Sequence, residues 1–226
     1  MKKRLLIPSI FALGFSAFSF TGCSATDIPQ NTSAEDTTST IENVDKDFSI
    51  GTRDGKIYTN DFFGLKLTVA DDWTLLDENE IAKITSTVQD NINDKIIKES
   101  IHSGETCFIM YAMKDDKSQN INMSVQKLPY QTELADFDIN SYVEKSIEET
   151  KELLPQNGFE DLTVEKVNIT FLSEEVPAIK IKAKYKDNDI YETQVYIFKG
   201  SYMASVTATS LGTDNTQNSL NGFVKQ

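Results

Sequence analysis

Between residues 162 and 209 the chain repeats one pattern four times, and this repeat restricts the fold more than any other feature. Leu162 to Leu172, Val176 to Tyr185, Ile190 to Phe198 and Tyr202 to Thr209 alternate apolar and polar residues with a period of two. That spacing belongs to a strand with two unlike faces. Asp187-Asn188-Asp189 and Gly200-Ser201 supply tight turns between these segments, so neighbouring strands pair antiparallel. The C-terminal half is therefore expected to be a meander of four strands.

Upstream, Tyr58 and the run Phe62 to Val69 flank the turn-rich triplet Thr59-Asn60-Asp61, which predicts a short hairpin. Asp77 and Glu80 have the spacing of a capping box. Ile81, Ile84, Val88, Ile92 and Ile96 follow at three- and four-residue steps, as one amphipathic helix whose stripe is core. Thr106 to Met113 and Ile121 to Leu128 read as two strands joined across Asp115-Asp116-Lys117-Ser118. Asp138 caps a second helix carrying Tyr142, Val143, Ile147, Leu153 and Leu154, which Pro155 and Gly158 end. Leu220 and Phe223 suggest a short terminal helix. Two strands, a helix, two strands, a helix, the meander and a closing helix make an α+β domain, expected over residues 56–226.

The N-terminus has a different character. Lys2, Lys3 and Arg4 precede an uncharged apolar stretch, Leu5 to Phe20, whose 16 residues contain Pro8 and Gly14. That is short of the ~20 residues a membrane-spanning helix needs, and it reads as a secretory signal over residues 1–22. Phe20-Thr21-Gly22-Cys23 resembles a bacterial lipobox, with Phe20 where Leu is usual. The resemblance implies cleavage before Cys23 and a diacylglycerol on its thiol. This places the protein on the outer face of a cell membrane, expected to be of the Gram-positive type. From Ser24 to Gly55 the chain is rich in Ser, Thr, Asp, Glu and Asn, and residues 23–55 are expected to form a tether. A flexible coil of that length reaches roughly 30 Å. The formal charge is −13 even with the basic leader included. Such a surface repels phosphate backbones and excludes nucleic acid as a partner.

Tyr58-x3-Phe62-Phe63-Gly64-Leu65-Lys66-Leu67, followed by Trp73, resembles the opening of PsbP-like domains. That family includes the extrinsic P subunit of photosystem II, and a Ran-binding nuclear-import factor shares its fold. Tyr202-Met203-Ala204-Ser205-Val206 and the later Phe223 resemble the end of such domains. Where relatives often have a proline before the tryptophan, this chain has Ala70-Asp71-Asp72. The resemblance implies a central antiparallel sheet flanked by helices on both faces, in an assembly or binding protein and not an enzyme. No metal or partner motif of the photosystem subunit maps onto this sequence.

Chemistry is sparse. Cys107, within the apolar run Thr106 to Met110, reads as a small core residue and not a nucleophile. The single histidine, His102, reads as an exposed loop residue. Ser124-Val125-Gln126-Lys127 matches Ser-x-x-Lys, yet residues three apart on a strand point to opposite faces. No calcium-loop pattern occurs, and Asp77, Glu78 and Glu80 suit a helix start. The candidate ligand residues are Trp73 and Tyr58, as rings for stacking a glycan, with Asp71 and Asp72 beside them. Trp73 as a core plug is the simpler reading. No cofactor is expected. The leading expectation is a tethered, non-enzymatic module that binds an envelope protein. A binder of divalent metal or glycan is the alternative, and a hydrolase a remote third.

Overall fold

The computed structural model describes residues 47–85, 93–128 and 138–226. Two antiparallel sheets organise them. A small sheet has the order β1-β2-β3-β11, formed by Thr52–Asp54 (β1), Ile57–Asn60 (β2), Leu65–Thr68 (β3) and Phe223–Lys225 (β11). A seven-stranded sheet has the order β4-β5-β6-β10-β9-β8-β7. Its strands are Trp73–Leu75 (β4), Cys107–Lys114 (β5), Gln119–Lys127 (β6), Glu160–Phe171 (β7), Glu174–Tyr185 (β8), Asn188–Lys199 (β9) and Tyr202–Leu211 (β10). Four helices accompany them: Glu78–Ile84 (α1), Asp94–His102 (α2), Ile139–Gln156 (α3) and Thr216–Leu220 (α4).

The meander forms as its alternation dictates, with β7, β8, β9 and β10 pairing in succession. The last of them does not end the sheet. β10 also pairs with β6, so Met203 lies opposite Gln126 and Thr207 opposite Asn122. That long-range pairing puts β6, β10 and β9 in the middle of the sheet, each with strands on both sides.

Alternation then sends each strand's side chains to one of two faces. On one face Ile121, Met123 and Val125 of β6, Ala204, Val206 and Ala208 of β10 and Val195 of β9 join a large core. The small sheet supplies Tyr58, Leu65, Leu67 and Phe223 to that core, and α2 supplies Ile97 and Ile101. On the opposite face α3 packs Val143, Ile147 and Leu154 against Val164, Ile179 and Ile181. There α1 places Ile81 against Tyr111 and Leu76. The expected antiparallel sheet is present, and what the expectation lacked is a second sheet over one of its faces. The hydrophobic layer on one face is shared between helices and a second sheet, because β11 returns to pair with β3.

Three further boundaries differ from the sequence expectations. Phe48 and Ile50 are buried in the large core and β1 begins at Thr52, so the folded unit includes at least part of the segment expected to be tether. Arg53 fixes β1 by pairing with Glu78 and donating to the Ile109 carbonyl at 2.5 Å. The long helix expected from Ile81 to Ile96 is two helices, each with its own cap. Asp77 and Glu80 form the capping box of α1, and Asn93 caps α2. Val88 and Ile92 lie outside the described residues. The closing helix is α4, and Phe223 begins β11 instead of extending it.

Candidate functional site

The rings singled out from sequence are core residues. Tyr58 is 0% and Trp73 8% exposed, both inside the large hydrophobic cluster, so neither offers a face to a glycan. The Tyr58 hydroxyl donates to the Ile50 carbonyl at 2.7 Å. Burial holds its pKa well above the usual tyrosine range. Asp71 and Asp72 are exposed on the turn before β4, where Asp72 lies 3.4 Å from Lys114. The structure does not bring these four residues together as a site. Among the described residues no group of three or more His, Cys, Asp or Glu is placed to hold a metal.

His102 is exposed but ends α2 and is not in a loop, with Nε2 3.2 Å from the Tyr202 hydroxyl. Cys107 is half-buried against the large core, and burial followed by the Glu105 charge pushes its thiol up to about 11. A thiol held protonated is a poor nucleophile. Lys127 lies 5.7 Å over the Tyr202 ring, and Ser124 belongs to the other face of β6. The Ser-x-x-Lys pair does not converge.

What sequence did not reveal is a polar face in the middle of the large sheet. Opposite the core-facing residues, β6 presents Asn120, Asn122, Ser124 and Gln126, while β10 presents Ser205, Thr207 and Thr209. Next to them β9 presents Glu192, Gln194 and Tyr196. The register sets them in rows: Asn122, Thr207 and Gln194 in one, Asn120, Thr209 and Glu192 in the next. Adjacent strands lie about 4.8 Å apart, so two neighbouring rows form one patch roughly 10 Å across. Tyr111 of β5 extends the first row beside Asn122.

Part of this patch is internally satisfied. Gln194 Nε2 donates to Ser205 Oγ at 2.7 Å, and the Tyr196 hydroxyl donates to Gln194 Oε1 at 2.8 Å. The rest is not. Asn120 Nδ2, Asn122 Oδ1, Thr207 Oγ1 and Glu192 Oε1 are buried and have no hydrogen-bond partner. Their residues are 0%, 1%, 1% and 8% exposed. A buried polar atom left unpaired costs about 1–3 kcal/mol, and folded proteins keep few of them. The chain's own Asn60 shows the ordinary solution. It is equally buried, but Nδ2 donates to the Tyr58 hydroxyl at 2.9 Å and Oδ1 accepts from Phe63 N–H at 3.0 Å.

Glu192 is the ionisable group of the patch. Burial raises its carboxyl to about 8, against the weaker opposing effect of a hydrogen bond with Thr209. At neutral pH it is mostly protonated, and a protonated carboxyl both donates and accepts. Tyr111 and Tyr196 are held neutral beside it, with burial the main cause. The patch is thus uncharged, polar, and supplied with unused donors and acceptors.

No known protein family and no curated protein matches the sequence. Among solved structures the chain is similar to cyanobacterial PsbP (CyanoP) of Synechocystis, at 7% identity and a TM-score of 0.43, covering 79% of this chain and 96% of that one. It is also similar to LpqN of Mycobacterium tuberculosis, a protein involved in cell envelope biogenesis. There the identity is 13% and the TM-score 0.39, covering 75% of this chain and 80% of the other. A Pseudomonas aeruginosa protein of unknown function, PA94, follows at 14% identity and a TM-score of 0.29, covering 45% and 62%. Likenesses this distant carry no functional argument, and the polar face has to be understood from its own atoms.

Proposed function

We propose that this protein is a lipid-tethered, extracytoplasmic binding module without catalytic activity, and that a small polar ligand occupies the polar face of its seven-stranded sheet. The carrying observation is the set of four buried, unpartnered atoms on Asn120, Asn122, Thr207 and Glu192. Groups aimed at solvent need no explanation, whereas these are under the surface and gathered within two rows of one sheet. A bound molecule that pairs with them removes the cost of leaving them bare. The same observation favours a small ligand over the protein partner expected from sequence, since a protein partner engages outer surface. The lipobox-like segment ending in Cys23 supports the tether. Among the described residues no helix is long and apolar enough to cross a membrane.

Native mass spectrometry of the full chain, extracted in mild detergent from its own envelope, tests this reading. The expected result is a small non-covalent adduct on the wild type that Thr207→Val loses. Spectra in which both proteins carry no adduct, under conditions that preserve a control lipoprotein–ligand complex, would remove the proposal.

A further inference from the structure

The unused atoms on the polar face also constrain the chemistry of their ligand. Asn120 Nδ2 can only donate and needs an acceptor, whereas Asn122 Oδ1 can only accept and needs a donor. Thr207 Oγ1 does either. Asn120 and Asn122 stand two residues apart on β6, joined by a long contact of 3.4 Å from Asn122 Nδ2 to Asn120 Oδ1. That contact orients both amides and leaves opposite ends free. Thr207 is directly across from Asn122, and Glu192 is across Thr209 from Asn120. The ligand must therefore bring donors and acceptors in alternation over roughly two strand spacings, about 10 Å.

Charge is the second constraint. The ionisable groups on this face of β5, β6, β9 and β10 are Tyr111, Glu192 and Tyr196. From α3, Tyr142 packs its ring 5.0 Å from that of Tyr196, and the Glu149 carboxylate, paired with Lys145, acts on both tyrosines. No group on the face is a cation, so an anionic ligand would meet no counter-charge. A cationic ligand would find a Glu192 carboxyl that burial keeps from ionising and a Glu149 carboxylate already paired with Lys145. Burying a lone charge costs far more than burying a hydrogen-bonded neutral group.

We propose that the polar face holds a neutral, hydroxyl-rich molecule, a sugar or polyol, bound through Asn120, Asn122, Thr207 and Glu192. A hydroxyl is donor and acceptor at once, so neighbouring hydroxyls on one carbon frame match an amide NH₂, an amide carbonyl, a threonine and a protonated carboxyl together. Amides and hydroxyls discriminate such ligands well, because an analogue lacking the matching group leaves a buried partner unpaired. This inference rests on the reading of the face as a ligand site.

Thermal-shift titration of the full chain in detergent tests it. The probes are glucose, maltose, N-acetylglucosamine and myo-inositol, with glucuronate, glucosamine and inorganic phosphate as charged counterparts. The expected result is a rise in melting temperature of at least ~4 °C with one of the neutral probes near a hundredfold excess over its Kd. The charged counterparts give no rise, and the shift disappears in Asn122→Leu and in Thr207→Val. Thr207→Val keeps the test decisive even where Asn122→Leu fails to fold. A shift of equal size in Thr207→Val would place the sugar elsewhere and overturn the assignment. Rises with charged probes alone would overturn the ligand class while leaving the face a binding site. No rise with any neutral probe, together with native spectra free of adducts, overturns both readings.

Discussion

Thr207 and Glu192 stand where stability and binding pull in opposite directions. Valine has the shape of threonine without the hydroxyl, and the Thr207 hydroxyl is buried without a partner. Thr207→Val is therefore expected to stabilise the ligand-free protein, by about 1 kcal/mol in urea denaturation, while it abolishes ligand binding. An unchanged or lowered stability would mean that the hydroxyl is already satisfied. Glu192 makes a prediction about pH. Its folded-state value of about 8 is above the ordinary 4.5, so the folded protein holds a proton that the unfolded chain releases. Its contribution to stability is full below about pH 4.5, declines as pH rises, and is lost by about pH 8. Glu192→Gln puts a neutral, non-titrating amide in its place. The fall in melting temperature of the wild type across that window should flatten in the variant, and parallel curves for the two proteins would contradict the protonated carboxyl.

At the scale of elements, the structure adds Phe48, Ile50 and β1 to the folded unit expected from sequence. A chain trimmed to residues 56–226 loses Phe48, Ile50 and β1, whereas one beginning at residue 47 keeps them. Truncating one buried phenylalanine costs about 3–5 kcal/mol, so the shorter chain should melt far below the longer one or fail to fold. Equal melting curves would show that β1 adds nothing. Gly51 tests the same junction more finely. Its φ is +84°, and a Cβ there would lie 2.6 Å from the Thr59 carbonyl oxygen and 2.7 Å from the Tyr58 ring. Gly51→Ala should destabilise the domain by at least ~1 kcal/mol in denaturant melts, for both backbone and steric reasons. How far sequence could reach is visible in these same elements. Period-two alternation and turn residues placed β7 to β10 closely, and the Asp77–Glu80 capping box placed the start of α1. Phe48 and Ile50 were hidden because they are isolated apolar residues in a polar stretch, and only β2 and the aromatic cluster around Tyr202 give them something to pack against. β11 was hidden because three residues carry no period of their own, and its pairing with β3 spans most of the chain.

At the scale of the molecule, the polar face was illegible for a related reason. Asn120-Ile121-Asn122-Met123-Ser124-Val125-Gln126 alternates cleanly, and on any antiparallel strand that pattern ordinarily means a wet outer face. Only the pairing of β10 with β6, between residues some eighty positions apart, makes the strand central. Its polar side is buried in the assembled fold. The proposed tether belongs to this scale too. Cys23→Ala should release the protein from the membrane fraction without changing its melting temperature. Retention of the variant in washed membranes would argue against the lipid anchor. The central claim, that the sheet's polar face is a ligand site, is tested most directly by a crystal structure near 1.5 Å of protein purified from its own envelope. The account predicts density larger than water that bridges Asn120 Nδ2, Asn122 Oδ1, Thr207 Oγ1 and Glu192. A face filled by ordered water alone, or amides turned to pair with one another, would contradict it.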